Sequence, residues 1–245
     1  MTRPFSERIA IAAMEKKSPI VLALDPRSLG KQRLREFAAK TIYAVEQYIC
    51  AVKMNFHIIL PLSASEISRI NKQVHSFGLQ SIADIKLNDI ENTNAIALDL
   101  LTKMGFDATI ANPFIGRNEL ASLVQKAHQA DTGIIALVYM SHSGAKEGFG
   151  LKVQGGRRLY KAFLGSATAT DADGIVVGAT QLEILQEVAG RLPVYSPGVG
   201  VQGGGAEQAI RSGADYLIIG RSIIEAKQPA KVAKEIQNKI LSIGK

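Results

Sequence analysis

A chain of 245 residues with 47% apolar content can bury one full core, and its single cysteine excludes an internal disulfide. No run of ~18 or more apolar residues is present to span a membrane, and the apolar run at 9–14 is too short for a signal-peptide core, so a soluble, cytoplasmic protein is expected. The net charge of +7 comes from scattered basic residues without a Lys/Arg block or interleaved aromatics, which argues against nucleic acid and for a field that attracts small anions.

Residues 5–16 read as a helix, with Ser6 available as its N-cap. Pro19-Ile-Val-Leu-Ala-Leu24 is a near-continuous apolar run, the mark of a strand covered on both faces. Asp25 ends it, and a helix over 31–47 follows the turn. The next strand, Cys50-Ala-Val-Lys-Met54, carries Lys53 near its end, and Cys50 belongs to the core. A helix over 63–77, a strand over 79–86 and a helix over 89–104 continue the alternation. Strands at 106–111, 133–139, 174–177, 193–195 and 216–219 alternate with helices at 116–129, 157–168, 181–190, 205–212 and 221–242. A long glycine-rich connection, 141–156, interrupts the rhythm once. Eight strands, each followed by a helix, specify a parallel sheet. The expected fold is therefore α/β, a (β/α)8 TIM barrel with an extra N-terminal helix, as one domain over residues 1–245. A doubly wound open sheet uses the same alternation and stays as the structural alternative.

In such a barrel the chemistry gathers where strands end. Those ends carry Asp25, Lys53, Asp84 with Lys86, Asn112, Ser141, Ser196-Pro197 and Gly220-Arg221. Asp84 and Lys86, two apart on a strand, share a face, and Asp89 follows them closely. Each residue has a plain structural alternative. Asp25 could cap its turn, Lys53 could reach the rim, and Asn88 with Glu91 could form a capping box that leaves Asp89 in the first helical turn. Buried charges are costly unless paired, so an alternating set in one pore points to a site. A second cluster, Ser196-Pro-Gly-Val-Gly-Val-Gln-Gly-Gly-Gly205, joins Gly220-Arg221 after the last two strands. Glycines let backbone approach an anion, and an arginine adds a forked contact, so a phosphate is expected there. Gly155-Gly-Arg-Arg158 reads only as loop and helix start. The histidines lack metal-ligand spacing, although His142 follows Ser141 toward the pocket. The site is expected to work with no metal and no dissociable cofactor.

These residues carry a resemblance. Asp84-Ile-Lys-Leu-Asn-Asp-Ile resembles the DxKxxD motif of the orotidine 5′-phosphate decarboxylase suprafamily, and Asn92-Thr93 resembles its decarboxylase branch. The similarity runs through Leu22-Ala-Leu-Asp25, Val52-Lys53, Tyr139-Met-Ser-His-Ser-Gly144, residues 196–204 and Gly220-Arg221, and is closest to the short, monofunctional microbial or archaeal form. Asn112 departs from the histidine that many relatives carry.

The resemblance implies cofactor-free decarboxylation of orotidine 5′-monophosphate to uridine 5′-monophosphate, with Lys86 as proton donor. Asp84 would sit beside the leaving carboxylate, and Lys53 and Asp89 would complete the charged array. It implies ribose contacts from Asp25, Lys53 and Thr93, a pyrimidine contact from Ser141, and phosphate contacts from Gln202, Gly220 and Arg221. Pro197 also belongs to the implied substrate-binding set. Asp89, Ile90 and Thr93 would reach the active site of a partner, which makes a homodimer with shared sites. Two other readings stay open: a magnesium-dependent sugar-phosphate decarboxylase or hexulose-phosphate synthase of the same suprafamily, and a non-catalytic nucleotide-binding barrel.

Overall fold

The apolar runs fold as eight parallel strands: β1 (Ile20–Leu24), β2 (Ala51–Asn55), β3 (Gln80–Leu87), β4 (Ala108–Ala111), β5 (Gly133–Tyr139), β6 (Gly174–Val177), β7 (Val194–Pro197) and β8 (Tyr216–Ile219). The computed structural model describes residues 3–26, 29–200 and 203–243. β8 pairs in parallel with β1, placing Ile20 opposite Leu217, so the sheet closes and the open-sheet alternative is excluded.

Closure gives every strand two buried faces with different neighbours. On β1, Val21 and Ala23 point into the barrel, while Ile20, Leu22 and Leu24 face the surrounding helices. That is why the sequence shows an unbroken apolar run rather than alternation.

The helices run α1 (Phe5–Lys16), α2 (Lys31–Val45), α3 (Phe56–Ile59), α4 (Ala64–Ser76), α5 (Glu91–Lys103), α6 (Arg117–Gln129), α7 (Ala145–Gly148), α8 (Leu159–Ala169), α9 (Leu182–Val188), α10 (Ala206–Arg211), α11 (Arg221–Ile224) and α12 (Pro229–Leu241). The single closing helix expected over 221–242 is thus two helices. Pro229 cannot continue a hydrogen-bonded turn, but it is suited to start α12, where it stands in the first turn. Short α3 and α7, inside segments read as loops, lack the length to show a periodic pattern.

The extra front helix closes the bottom of the barrel. Phe5, Ile9 and Ala12 of α1 pack with the inward residues of the strands, including stacked Tyr195 and Tyr216. Gly133 opens β5 because a Cβ there would lie 2.6 Å from the Phe5 ring. Pro4, not Ser6, occupies the N-cap of α1, and no side chain caps it.

A recurrent clamp fixes the same end. Asp107, Asp173 and Asp215 each stand just before an even-numbered strand. Their Oδ2 atoms accept from the backbone N–H groups of Ser81, Ile134 and Val194 at 2.8, 2.9 and 2.8 Å. Each aspartate's own N–H donates to the carbonyl of that same residue, so both backbone groups of the preceding strand's start are satisfied at one point.

Phe5 is 1% exposed, so truncating it leaves a void in the barrel floor. Phe5→Ala should cost about 3–5 kcal/mol of unfolding free energy, measured by denaturant titration with the slope unchanged.

Candidate active site

The site begins with an irregularity in β3. Ile82 and Ala83 pair with Ala108 and Thr109, but Leu87 next pairs with Ala111, so β3 carries extra residues against β4. Lys86 lies inside that bulge with φ of 51°, a left-handed conformation uncommon for a residue with a side chain. A bulge re-aims side chains. Here Asp84 and Lys86 both line one cavity at the C-terminal end of the barrel, of about 340 Å³.

Asp84 is held between two ammonium groups. Its Oδ2 lies 2.6 Å from Lys53 Nζ and its Oδ1 lies 2.6 Å from Lys86 Nζ. The side chains of Lys53 and Asp84 are 5% and 9% exposed, whereas that of Lys86 is 38% exposed. Lys53 also donates to Asn55 Oδ1. Burial alone would raise the Asp84 pKa, but Lys53 and Lys86 together outweigh it and hold the carboxyl below its ordinary range. Lys86 is therefore the member of the array with access to a ligand.

Asp25, at the end of β1, supplies a further carboxylate. Burial raises its pKa against the opposing charges of Lys53, His57 and Arg221. Its Oδ1 is buried with no hydrogen-bond partner among the described residues, and it sits so close to Gly220 that a Cβ there would lie 2.5 Å away. An unpaired buried acceptor at a cavity wall is a place for a donor such as a ligand hydroxyl.

The cavity has distinct ends. Ile110, Leu137, Val176 and Ile218 make an apolar floor beside the charges, and Ser141 and His142 stand on the rim above β5. Pro197, Gly198, Val199, Gly220, Arg221 and Ser222 make the other end. There the glycine loop folds back on itself, with Gly200 N–H donating to Gly204 O at 2.8 Å and Gly203 N–H to Gly200 O at 2.7 Å. Gly198, Gly200 and Gly203 all have φ between 83° and 97°, a path that residues with side chains rarely follow.

The structure thus gathers Asp25, Lys53, Asp84, Lys86, Ser141, Pro197, Gly220 and Arg221 around one cavity. Gln202 lies outside the described residues. Asp89, Ile90 and Thr93 are exposed and outside this cavity, so the charges that meet in the chain's own pore do not include Asp89. Asp89 Oδ1 instead accepts from Ile90 N–H at 2.7 Å, and its carbonyl accepts from the Asn94 side chain.

Helix α5 starts at Glu91 with Ile90 as N-cap, so the capping box read for Asn88 and Glu91 does not form. One does form between Ser63 and Glu66 of α4. Asn112 also stands apart from the cavity, its side chain accepting from Phe114 N–H in a local turn. Residues 152–158 form a small hairpin away from it, joined by a bridge between Lys152 and Arg158. Asn55 and Ser222 also line the cavity, beyond the residues expected there. Asn55 was signalled by its spacing, two residues beyond Lys53 on the same strand face.

A closed (β/α)8 barrel whose cavity has a lysine–aspartate–lysine cluster at one end and a glycine-rich loop with an arginine at the other has the build of a barrel enzyme. The profile of the Orotidine 5′-phosphate decarboxylase / HUMPS family matches residues 18–236, and the chain belongs to that family. Orotidine 5′-phosphate decarboxylase of Pyrococcus abyssi is 34% identical over 225 residues, 90% of this chain and 98% of that protein. The protein of the same name from Methanococcoides burtonii is 32% identical over 91% of this chain and 97% of its own length. Among solved structures, orotidine 5′-monophosphate decarboxylase from Methanocaldococcus jannaschii complexed with inhibitor BMP superposes with a TM-score of 0.77 at 28% identity, covering 90% of this chain and 97% of that one.

Because the folded Asp84 pKa is depressed, its ionisation contributes stability that is full above the unfolded carboxylate value and is lost as pH falls through the lower folded value. Asp84→Ala should therefore be less stable than the parent at pH ~7 by about 3–5 kcal/mol, since it strands a buried ammonium. That gap should shrink on acidification, as read from denaturation midpoints across pH.

Proposed function

We propose that this chain decarboxylates orotidine 5′-monophosphate to uridine 5′-monophosphate and carbon dioxide, as a cytoplasmic enzyme of pyrimidine synthesis. The observation that carries the reading is Asp84 clamped between Lys53 and Lys86 at 2.6 Å each. The names of the relatives agree with it. In this reading the phosphate is held by Arg221 and the glycine loop, with Gln202 in support, and the ribose hydroxyls by Asp25 and Lys53. The pyrimidine lies over the apolar floor toward Ser141.

Decarboxylation breaks the bond between C6 and the carboxyl carbon and leaves an electron pair on C6. The ring offers that pair no adjacent sink, so stabilisation must come from fixed charge. The Lys86 ammonium faces the developing carbanion, donates its proton to C6 and is reprotonated by solvent. Asp84 holds Lys86 in place and also places negative charge beside the substrate carboxylate, a repulsion relieved as carbon dioxide leaves. Phosphate contacts far from C6 draw the glycine loop over the substrate, so that binding energy is expressed as rate.

Among the described residues no group of three or more His, Cys, Asp or Glu side chains is placed to hold a metal ion. Lys86→Ala should lower kcat by about 10³-fold or more, the scale of losing both proton donor and charge stabilisation. Ultraviolet absorbance reports the loss of orotidine monophosphate directly, and the parent activity should survive a chelator. An inactive parent protein would sink the decarboxylase reading, and activity abolished by chelator would favour a metal-dependent sugar-phosphate lyase.

The working unit of this proposal is a homodimer with shared sites. Leu60, Ile90 and Phe114, which follow β2, β3 and β4, are 74%, 69% and 68% exposed, Phe56 after β2 is also uncovered, and Ile96 and Leu100 are exposed along α5. An apolar surface of that kind marks an interface. A partner seated there would bring Asp89, Ile90 and Thr93 to the neighbouring cavity. If so, inactive Lys86→Ala and Asp89→Ala chains, unfolded and refolded together, should regain activity, approaching about a quarter of the parent sites for random pairing in a two-fold dimer. No recovery, with mixed dimers shown by mass spectrometry, would make each site the product of one chain.

A further inference from the structure

We infer that the Ser222 hydroxyl binds the phosphate group of the substrate, beside Arg221; the inference rests on the nucleotide reading of the cavity. Ser222 lines the same end of the cavity as Gly198, Val199, Gly220 and Arg221. It is half-buried, and its hydroxyl has no hydrogen-bond partner among the described residues.

The glycine loop that leaves β7 passes directly over this hydroxyl. A Cβ built on Gly200 would lie 2.3 Å from Ser222 Oγ and 3.4 Å from its Cβ. The loop can follow this path only because position 200 has no side chain. The backbone groups at that point are already engaged: Gly200 N–H donates to Gly204 O, and Gly200 C=O accepts from Gly203 N–H. The hydroxyl, which lines the cavity next to a guanidinium, is left to donate to a ligand there.

An oxygen-rich dianion uses several donors arranged around it. Arg221 offers a planar fork from one side, and a hydroxyl held rigidly beneath the loop offers a donor from another. The same hydroxyl touches the loop backbone, so phosphate bound to it also fixes the loop position. Ser222 is accordingly a binding residue for the phosphate and the contact between that group and the Gly200 turn.

The test compares binding of uridine monophosphate and uridine by calorimetry on the full chain and its Ser222→Ala and Ser222→Thr variants. Alanine keeps the Cβ under Gly200, so the fold of the loop is preserved while the hydroxyl is lost. Ser222→Ala should weaken uridine monophosphate by about tenfold, the usual scale for a hydrogen bond to a charged group. Uridine affinity should stay unchanged, and Ser222→Thr should restore most of the loss. An alanine variant that keeps the parent margin of monophosphate over uridine overturns the inference. So does equal weakening by alanine and threonine, or equal weakening of both ligands, because packing rather than the hydroxyl is then the cause. A parent protein with no preference for the monophosphate overturns the nucleotide reading itself, a result distinct from any of these.

Discussion

Asp84 is the residue on which the site depends, because it lets two ammonium groups stand beside the apolar floor of the cavity. Lys53 by itself would be an uncompensated charge at 5% exposure, and Asp84 by itself would be driven to protonate by burial. Together they offset the cost of each other's burial, and the second carboxylate oxygen is left to orient Lys86. The result is a fixed field that exists before any ligand arrives. Such preorganised charge avoids the reorganisation that water would need as a carbanion forms.

The backbone shares the work of that placement. A regular β3 would run in step with β4, but its bulge puts Lys86 in a left-handed conformation at the rim. Glycine would adopt that conformation more readily, yet it has no ammonium to present. Local strain is accepted where the side chain matters, and the surrounding ladder holds it. At the other end of the cavity the opposite choice is made. There the glycines give up side chains so that backbone can lie against Ser222 and Asp25.

The barrel and most of the cavity are legible in the sequence because closure demands strands that are apolar on both faces and leaves their polar ends conspicuous. Asp25, Lys53, Ser141 and Arg221 stand out as the polar residues that end such runs. The Lys86 conformation is not legible, because it arises from the pairing of β3 with β4 and no local pattern encodes it. The place of Asp89 was open for a similar reason. One extended residue at Ile90, acting as the N-cap, decides that α5 starts late and that the Asp89 carboxylate turns to the Ile90 N–H. The break before α12 was, by contrast, written plainly in Pro229.

The aspartate clamps at the bottom of the barrel have a consequence for how the molecule breathes. They join β3 to β4, β5 to β6 and β7 to β8, and β1 joins β2 differently, with Cys50 bonding to the Ile20 carbonyl and the Ser18 hydroxyl receiving the Ile20 N–H. The seams between these pairs are bridged at their base by backbone hydrogen bonds, without an aspartate clamp. An eight-fold barrel is thus fastened as four hairpin-sized modules, each a parallel strand pair with its crossover helix. The unclamped seams rest at their base on ladder hydrogen bonds alone, so transient opening of the barrel can be followed there strand pair by strand pair. The rim then keeps Lys53 and Asp84, which lie on β2 and β3, on opposite sides of one such seam. Their ion pair spans at the top a seam that backbone hydrogen bonds alone bridge at the base, so the contact that organises the cavity also ties the first two modules together.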